Sequence, residues 1–527
     1  MPPFLGPLMS SASEPPSGEA VPREPSIPDV ITSVTDSPAP TTARARFDRD
    51  RSLLRGVAWN GIVKLVGQSA AWASTIVVAR HLLPDDYGVV GMATFMLGLI
   101  ELVTEFGIGT AIATRKDLTD EQAMELNSVS VLLGVAGTLV ICATAPLVSR
   151  FFHDGRVVKV LFVLSSTFLL RSFRSVPWGL LQRDLRFRSL AVYDGVQSLV
   201  LATFSVILAV MGLGYWTLVA ASVASALITS LLAVVRHPVA FRRPRLEHLR
   251  PLLSFSGYIV GQRASWFAYS NADFVVAGRM LGSGLLGTYT LAWTLSHITD
   301  KVTALVLQVT PPVLAKVQDD LGELRRLVIR ITEAMALSIL PLMFGLALVA
   351  HDFVPVVLGA KWTSMVFPLQ VLSAYAAVNV VVPLLAQVLI VTGHARYGMR
   401  HNFLQLAVMP CAFVVGAHFG GLNGIVIAWI AIHPFLALRI SRHTLRTIEL
   451  PAAIYIRESL APSLLGCLLM TVAVVLVRAA WGATPPTLSR LVTEIAGGAV
   501  VYAGALFLLY RSRLVGIAAF IRQLRQS

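Results

Sequence analysis

Apolar residues fill most of this chain in long blocks, broken by short polar stretches. A helix needs about 20 such residues to cross the hydrocarbon core of a bilayer. Fourteen segments meet that length: 55–79, 88–112, 128–149, 157–181, 190–212, 214–235, 254–278, 286–310, 331–353, 365–391, 401–418, 421–438, 459–477 and 491–510. The pairs 190–235 and 401–438 leave almost no room between spans. They read as tight hairpins turned at Gly212-Leu213-Gly214 and Gly420-Gly421. The pattern predicts an all-α polytopic membrane protein of about 14 transmembrane helices.

The polar residues that interrupt these blocks repeat at a fixed offset. Adding 199 takes Lys64 to Arg263, Glu101 to Asp300, Arg51 to Arg250, Arg80 to Arg279 and Gly88 to Gly287. Between 51–105 and 250–304 eleven of fifty-five positions are identical without gaps. Apolar helices share residues by chance, but charges are scarce in these spans, so charges in register carry the inference. The expectation is two homologous six-helix bundles, 51–240 and 241–440, followed by two further helices and a basic tail over 441–527. An even number of helices per repeat makes the halves parallel, related by an axis along the membrane normal.

Composition agrees with this reading: 55% of residues are hydrophobic and 14% charged, against about 25% charged in soluble domains. A net charge of +14 would suggest nucleic acid in a soluble protein. Here the basic residues concentrate in alternate loops. With the N-terminus in the cytoplasm, the cytoplasmic segments hold thirty Lys and Arg and the opposite loops eight. This asymmetry predicts both termini inside and leaves no nucleic-acid partner to invoke. Residues 1–50 are rich in Pro, Ser, Thr and Ala and lack an apolar run. They read as a disordered cytoplasmic tail, not a signal peptide. Segments 313–330 and 513–527 are amphipathic and are expected to lie flat on the cytoplasmic interface. Cys142, Cys411 and Cys467 each stand alone in an apolar helix, which points to no disulfide, metal or cofactor.

Charge inside a bilayer is costly and rarely idle. Lys64 and Arg263 occupy matching depths, and Arg171 and Arg174 are three apart on one helix and so share a face. A pyrophosphate or acidic sugar crossing a bilayer needs positive charge in place of water, and Arg offers a fork of donors for phosphate oxygens. These four are the candidate substrate-binding residues. The acids Glu101, Glu105, Asp273 and Asp300 are candidates for ion coupling or gating, with His297 three residues before Asp300 and on the same face. The plainer alternative is that Glu101 pairs with Lys64 and Asp300 with Arg263, locking the bundles. His433, before Pro434, reads as a satisfied helix residue.

Three stretches carry a resemblance. Residues 78–88, from Val78 through Arg80, Pro84 and Asp85 to Gly88, resemble the first-hairpin motif of the bacterial polysaccharide transporter family. That family belongs to the multidrug/oligosaccharidyl-lipid/polysaccharide flippase superfamily. Asp273 to Tyr289 resembles the segment around the family's seventh helix, and Val356 to Trp362 with Pro368-Leu369 is a third matching block. The resemblance covers roughly 50–440. It implies a flippase for polyprenyl-pyrophosphate-linked oligosaccharides used in capsule, O-antigen or exopolysaccharide assembly in the bacterial inner membrane. It names a polysaccharide polymerase and chain-length proteins as candidate partners. A drug antiporter of the same superfamily is the nearest alternative, and it would favour an acidic or aromatic cavity. A polytopic polysaccharide-synthesis enzyme needs a sizeable outward loop, yet no loop exceeds about 25 residues. The expectation is a transporter and not an enzyme.

Overall fold

A computed structural model describes residues 69–104, 118–184, 186–245, 265–482 and 484–524, with Gly67 and Ile112. Lys64, Glu105 and Arg263 lie outside the described residues, as does the tail 1–50. Every regular element among the described residues is helical. In hydrocarbon each backbone polar group must be paired within the segment, which helices achieve alone.

The helices run α1 (69–81), α2 (Pro84–Thr104), α3 (Asp120–Phe152), α4 (Arg156–Arg183), α5 (Phe187–Val210) and α6 (Trp216–Arg236) through the segment predicted as the first bundle. The second segment holds α7 (Ala272–Ser296), α8 (Asp300–Lys316), α9 (Leu321–Phe353), α10 (Val366–Asn379), α11 (Val382–Val391) and α12 (Ala395–Thr447). Helices α13 (Ala461–Trp481) and α14 (Leu488–Leu524) complete the chain. Eight helical stretches among the described residues are long and apolar enough to cross a membrane.

Local chemistry sets the helix ends. Thr119 and Gln122 form a reciprocal capping box that starts α3, and the Asp320 carboxylate caps α9 by accepting from the amides of Gly322 and Glu323. Helix α12 has 53 residues, which at 1.5 Å per residue is about 80 Å and far longer than a bilayer. It reverses at Gly421, whose φ of 56° is left-handed, so the two expected spans are the arms of one hairpin. Gly212 and Gly214 likewise take positive φ at the turn between α5 and α6.

Breaks within the second segment were not legible in the pattern. The span expected over 286–310 stops at Ser296, passes a turn and restarts at Asp300. The span expected over 365–391 divides between α10 and α11. The amphipathic stretch 313–330 is not one interfacial helix: it is cut between Lys316 and Leu321, and its second part runs unbroken into the α9 span. Residues 513–524 of the expected tail segment continue α14 past a non-helical Tyr510.

One apolar core joins both segments, with Val89, Met92 and Leu161 packed in the same cluster as Leu286, Trp362 and Trp429. A second cluster seats α13 and α14 on α9 through Met335, Ile339, Cys467, Met470 and Leu506. Ser463 donates to the Ala336 carbonyl at 2.8 Å and Tyr502 to the Leu337 carbonyl at 2.9 Å across that contact.

Candidate functional site

The three stretches that carried the resemblance meet at one end of the helices. Arg80, at the end of α1, donates to the carbonyls of Val357 at 2.6 Å and Val356 at 2.9 Å. Trp362 Nε1 donates to the Ala79 carbonyl at 2.8 Å, and Lys361 Nζ to that of Arg80 at 2.8 Å. The Tyr87 ring stands edge-on to Trp362 with centroids 5.4 Å apart. The equivalent arginine does the same in reverse. Arg279 reaches the His153 ring and lies 5.5 Å over the ring of Phe151. Each motif arginine thus docks on the loop after the third span of the opposite half.

The helix tips repeat this reciprocity. A Cβ on Gly88 would fall 1.8 Å from the Ser283 carbonyl oxygen, and one on Gly287 would fall 1.6 Å from that of Pro84. Position 283 is 84 plus 199, and 287 is 88 plus 199. Residue i touching j while j's counterpart touches i's is the mark of a two-fold contact, here within one chain. Ser283 also donates to Asp85, which pairs with Arg156. The hydrogen bond from Arg156 holds the Asp85 carboxyl below its ordinary 3.8, against the desolvation of partial burial. We refer to this set of contacts as the clasp.

Below the clasp, a cavity of about 360 Å³ runs between the two segments. Its wall begins at Tyr87 and follows α2 through Thr94 and Gly98 to Glu101, with Arg171, Phe267 and Asn271 opposite. Tyr87 to Glu101 is about 21 Å along a helix, most of the hydrocarbon depth. At its lower end Arg171 pairs with Glu101 at 2.5 Å, their side chains 40% and 32% exposed.

The eight candidate residues therefore separate. Glu101 and Arg171 come together and line the cavity. Arg174 shares the helix but turns away, donating to Gln197 at 2.8 Å and stacking over Trp178 at 5.5 Å. Asp273 is fully buried in the second segment and accepts from Tyr289, from Trp429 at 3.1 Å and from the Phe274 amide at 2.9 Å. Asp300 opens α8, where a carboxylate is favoured by the helix dipole. The break before it removes the shared helical face expected for His297, which instead stacks on Trp293 at 3.7 Å. Tyr375 lies within electrostatic reach of Tyr269, Asp273 and Asp300 together. Lys64, Arg263 and Glu105 are outside the described residues.

Two groups escaped the sequence reading. Asp352, Arg478, Arg490 and Glu494 form a buried network joining α9 to α13 and α14, with Arg478 3.2 Å from Asp352 and 3.1 Å from Glu494. Arg478 and Arg490 fall just outside the expected spans 459–477 and 491–510, and their acids lie elsewhere in the sequence. His433 is not satisfied as expected: it is buried, and among the described residues its Nδ1 has no hydrogen-bond partner.

The fold and this arrangement define a polytopic, all-helical membrane protein of transporter type, with a charged cavity between α2, α4 and α7. The chain belongs to the family of polysaccharide biosynthesis proteins, whose model matches residues 77–367. Among its relatives are the lipopolysaccharide biosynthesis protein WzxC of Escherichia coli, 22% identical over 72% of this chain and 78% of the relative. The teichuronic acid biosynthesis protein TuaB of Bacillus subtilis is 24% identical over 78% of this chain and 86% of its own. Among solved structures, the lipid II flippase MurJ in an inward closed conformation superposes with a TM-score of 0.68 at 12% identity, covering 86% of this chain and 99% of that one. An inward-facing multidrug transporter of the MATE family gives 0.58 at 17% identity, over 75% and 98%. These two likenesses describe the fold.

Proposed function

We propose that this protein flips polyprenyl-pyrophosphate-linked oligosaccharide repeat units across the bacterial inner membrane by alternating access. The units would supply capsule, O-antigen or exopolysaccharide assembly. The observation that carries the reading is the cavity itself. It lies between two halves, holds an arginine at depth, and is shut at one end by contacts that each half makes in mirror fashion. Family membership supplies the substrate class. At about 360 Å³ the cavity is at the low end of ligand sites, roughly 300–1,000 Å³, so an oligosaccharide requires the halves to part.

In this account the halves 51–240 and 241–440 rock about the cavity, and the charge asymmetry of the loops turns the clasp toward the periplasm. Arg171 is held by Glu101 until an anionic head group competes for its guanidinium. Lys64 and Arg263 supply positive charge at matching depths, with Arg174 steadying the wall. Ion coupling falls to the acids. Asp273 and Asp300 share Tyr375 as a neighbour, Glu101 acts through its arginine, and Glu105 faces as Glu101 does. The protein is a carrier in which no bond of the substrate is broken. A polymerase and chain-length proteins receive the flipped unit.

The test uses a strain lacking this protein. Complementation with Arg171→Ala should leave the protein inserted but cut surface polymer at least tenfold, with lipid-linked repeat units accumulating. Polymer at the wild-type level in Arg171→Ala would remove the site from the account.

A further inference from the structure

The chain has eleven histidines, and four of them stand in one file along the α12 hairpin. His394 at its mouth is exposed and His443 half-buried, with ring centroids 6.1 Å apart. Tyr397 stacks on His443 at 3.6 Å, and Arg439 lies over Tyr397 at 5.3 Å. Beneath this layer His401 is 2% exposed and His433 4%. Arg439 acts electrostatically on His401, and His401 on His433. Neither ring nitrogen of His401 makes a hydrogen bond among the described residues, nor does Nδ1 of His433. The His433 ring then meets Tyr375 at 4.9 Å, and the Tyr289 hydroxyl, which accepts from Trp429 at 3.0 Å, donates to Asp273. The indole N–H of Trp429 only donates, so the hydroxyl makes the last transfer.

Burying a polar nitrogen without a partner is costly, and an apolar side chain would fill the same place without that cost. Three such nitrogens lie between a buried carboxylate and the helix end where α12 begins. A neutral imidazole can accept a proton at one nitrogen and release another from its second, leaving no net charge behind. From these positions we infer that His401 and His433 form a proton path between Asp273 and the 392–400 end of the bundle. His394 and His443 are its mouth. The path carries protons only; the donor or acceptor outside is water. The groups that face it are Asp273 and Tyr289 on α7, with Tyr269 just before that helix and His297 just after it. Asp300 on α8, Tyr375 on α10 and Arg439 on α12 complete the set. The inference rests on the proposed coupling role of Asp273.

The experiment needs no substrate. Full-length protein in lipid nanodiscs is given a rapid pH jump, and protonation of Asp273 is followed by its carboxyl infrared band, assigned as the band that Asp273→Asn removes. His433→Gln and His401→Gln should each keep the amplitude but slow its appearance at least tenfold. His418→Gln, exposed on the same hairpin and off the file, should match wild type. If His433→Gln loses amplitude, His401→Gln decides. Rates within twofold of wild type in both variants would overturn the path while leaving Asp273 a coupling residue. A wild type with no band assignable to Asp273 would overturn both.

Discussion

Arg171 and Arg174 are three positions apart on α4 yet serve different neighbours. Both stood out in the sequence as cations in apolar surroundings, and helical spacing placed them on one face. What the spacing does not contain is the reach of the side chain. Arg171 extends to Glu101 across the cavity, whereas Arg174 finds Gln197 and Trp178. The two should therefore differ on mutation. Arg171→Ala should abolish export, while Arg174→Ala should lower the melting temperature and leave part of export intact. Exchanging the pair, Glu101→Arg with Arg171→Glu, should restore melting but not export if the arginine meets the substrate. Restored export would make the pair a brace only. A pH effect belongs to Asp85, whose carboxyl Arg156 holds below 3.8. A depressed pKa adds stability above the ordinary value and loses it as pH falls through the folded one. The melting difference between wild type and Asp85→Asn should be equal at pH 5 and pH 8 and shrink as pH falls below 3.8. The pair is partly exposed, so the difference should be about 0.2–1 kcal/mol. A difference that grew on acidification would contradict the pairing. Asp273 was legible as a lone acid. Its partner Trp429 was not, since an aromatic in an apolar helix has no contrast with its neighbours.

At the scale of elements, periodicity gave the spans and their hairpins, because long apolar blocks and paired glycines leave little choice. It missed the break at 297–299 and the division of α10 from α11, because both halves of a broken helix remain apolar. It also missed the network that fastens α13 and α14 to α9, because its acids and arginines are far apart in the chain. Removing Arg478 leaves Asp352 and Glu494, both fully buried, facing each other with one arginine fewer. Arg490 still reaches both acids, so Arg478→Leu should destabilise by about 1–3 kcal/mol, the cost of buried acceptors left short of one donor, read as a lower melting temperature. Melting within a degree of wild type would contradict a stabilising network. The clasp makes a sharper claim. Gly88→Ala and Gly287→Ala each drive a methyl into a backbone carbonyl, so each should loosen the tips by about 1–3 kcal/mol. Labelling of a cysteine introduced at Thr94, on the cavity wall, should then rise from the clasp side in both variants. Labelling unchanged in either would show that the tips do not close the cavity.

For the whole molecule, the offset of 199 residues was the most useful signal in the sequence. It predicts two homologous bundles. The contacts of Gly88 with Ser283 and of Gly287 with Pro84 follow the same offset, which also relates Arg80, in contact with Val357, to Arg279, in contact with His153. The basic-residue asymmetry sets the proposed orientation. Reporter fusions at Pro244 and at Ser527 should both be active only with a cytosolic reporter, and a periplasmic signal at either would invert the account. The central claim is that lipid-linked repeat units pass between the halves. Its most direct test is a pair of cysteines at Arg80 and Val357, across the clasp, in a strain that depends on this protein for surface polymer. Oxidation to the disulfide should stop export, trap repeat units accessible only from the cytoplasmic leaflet, and be reversed by reductant. Export continuing at the wild-type rate with the clasp covalently shut would contradict it.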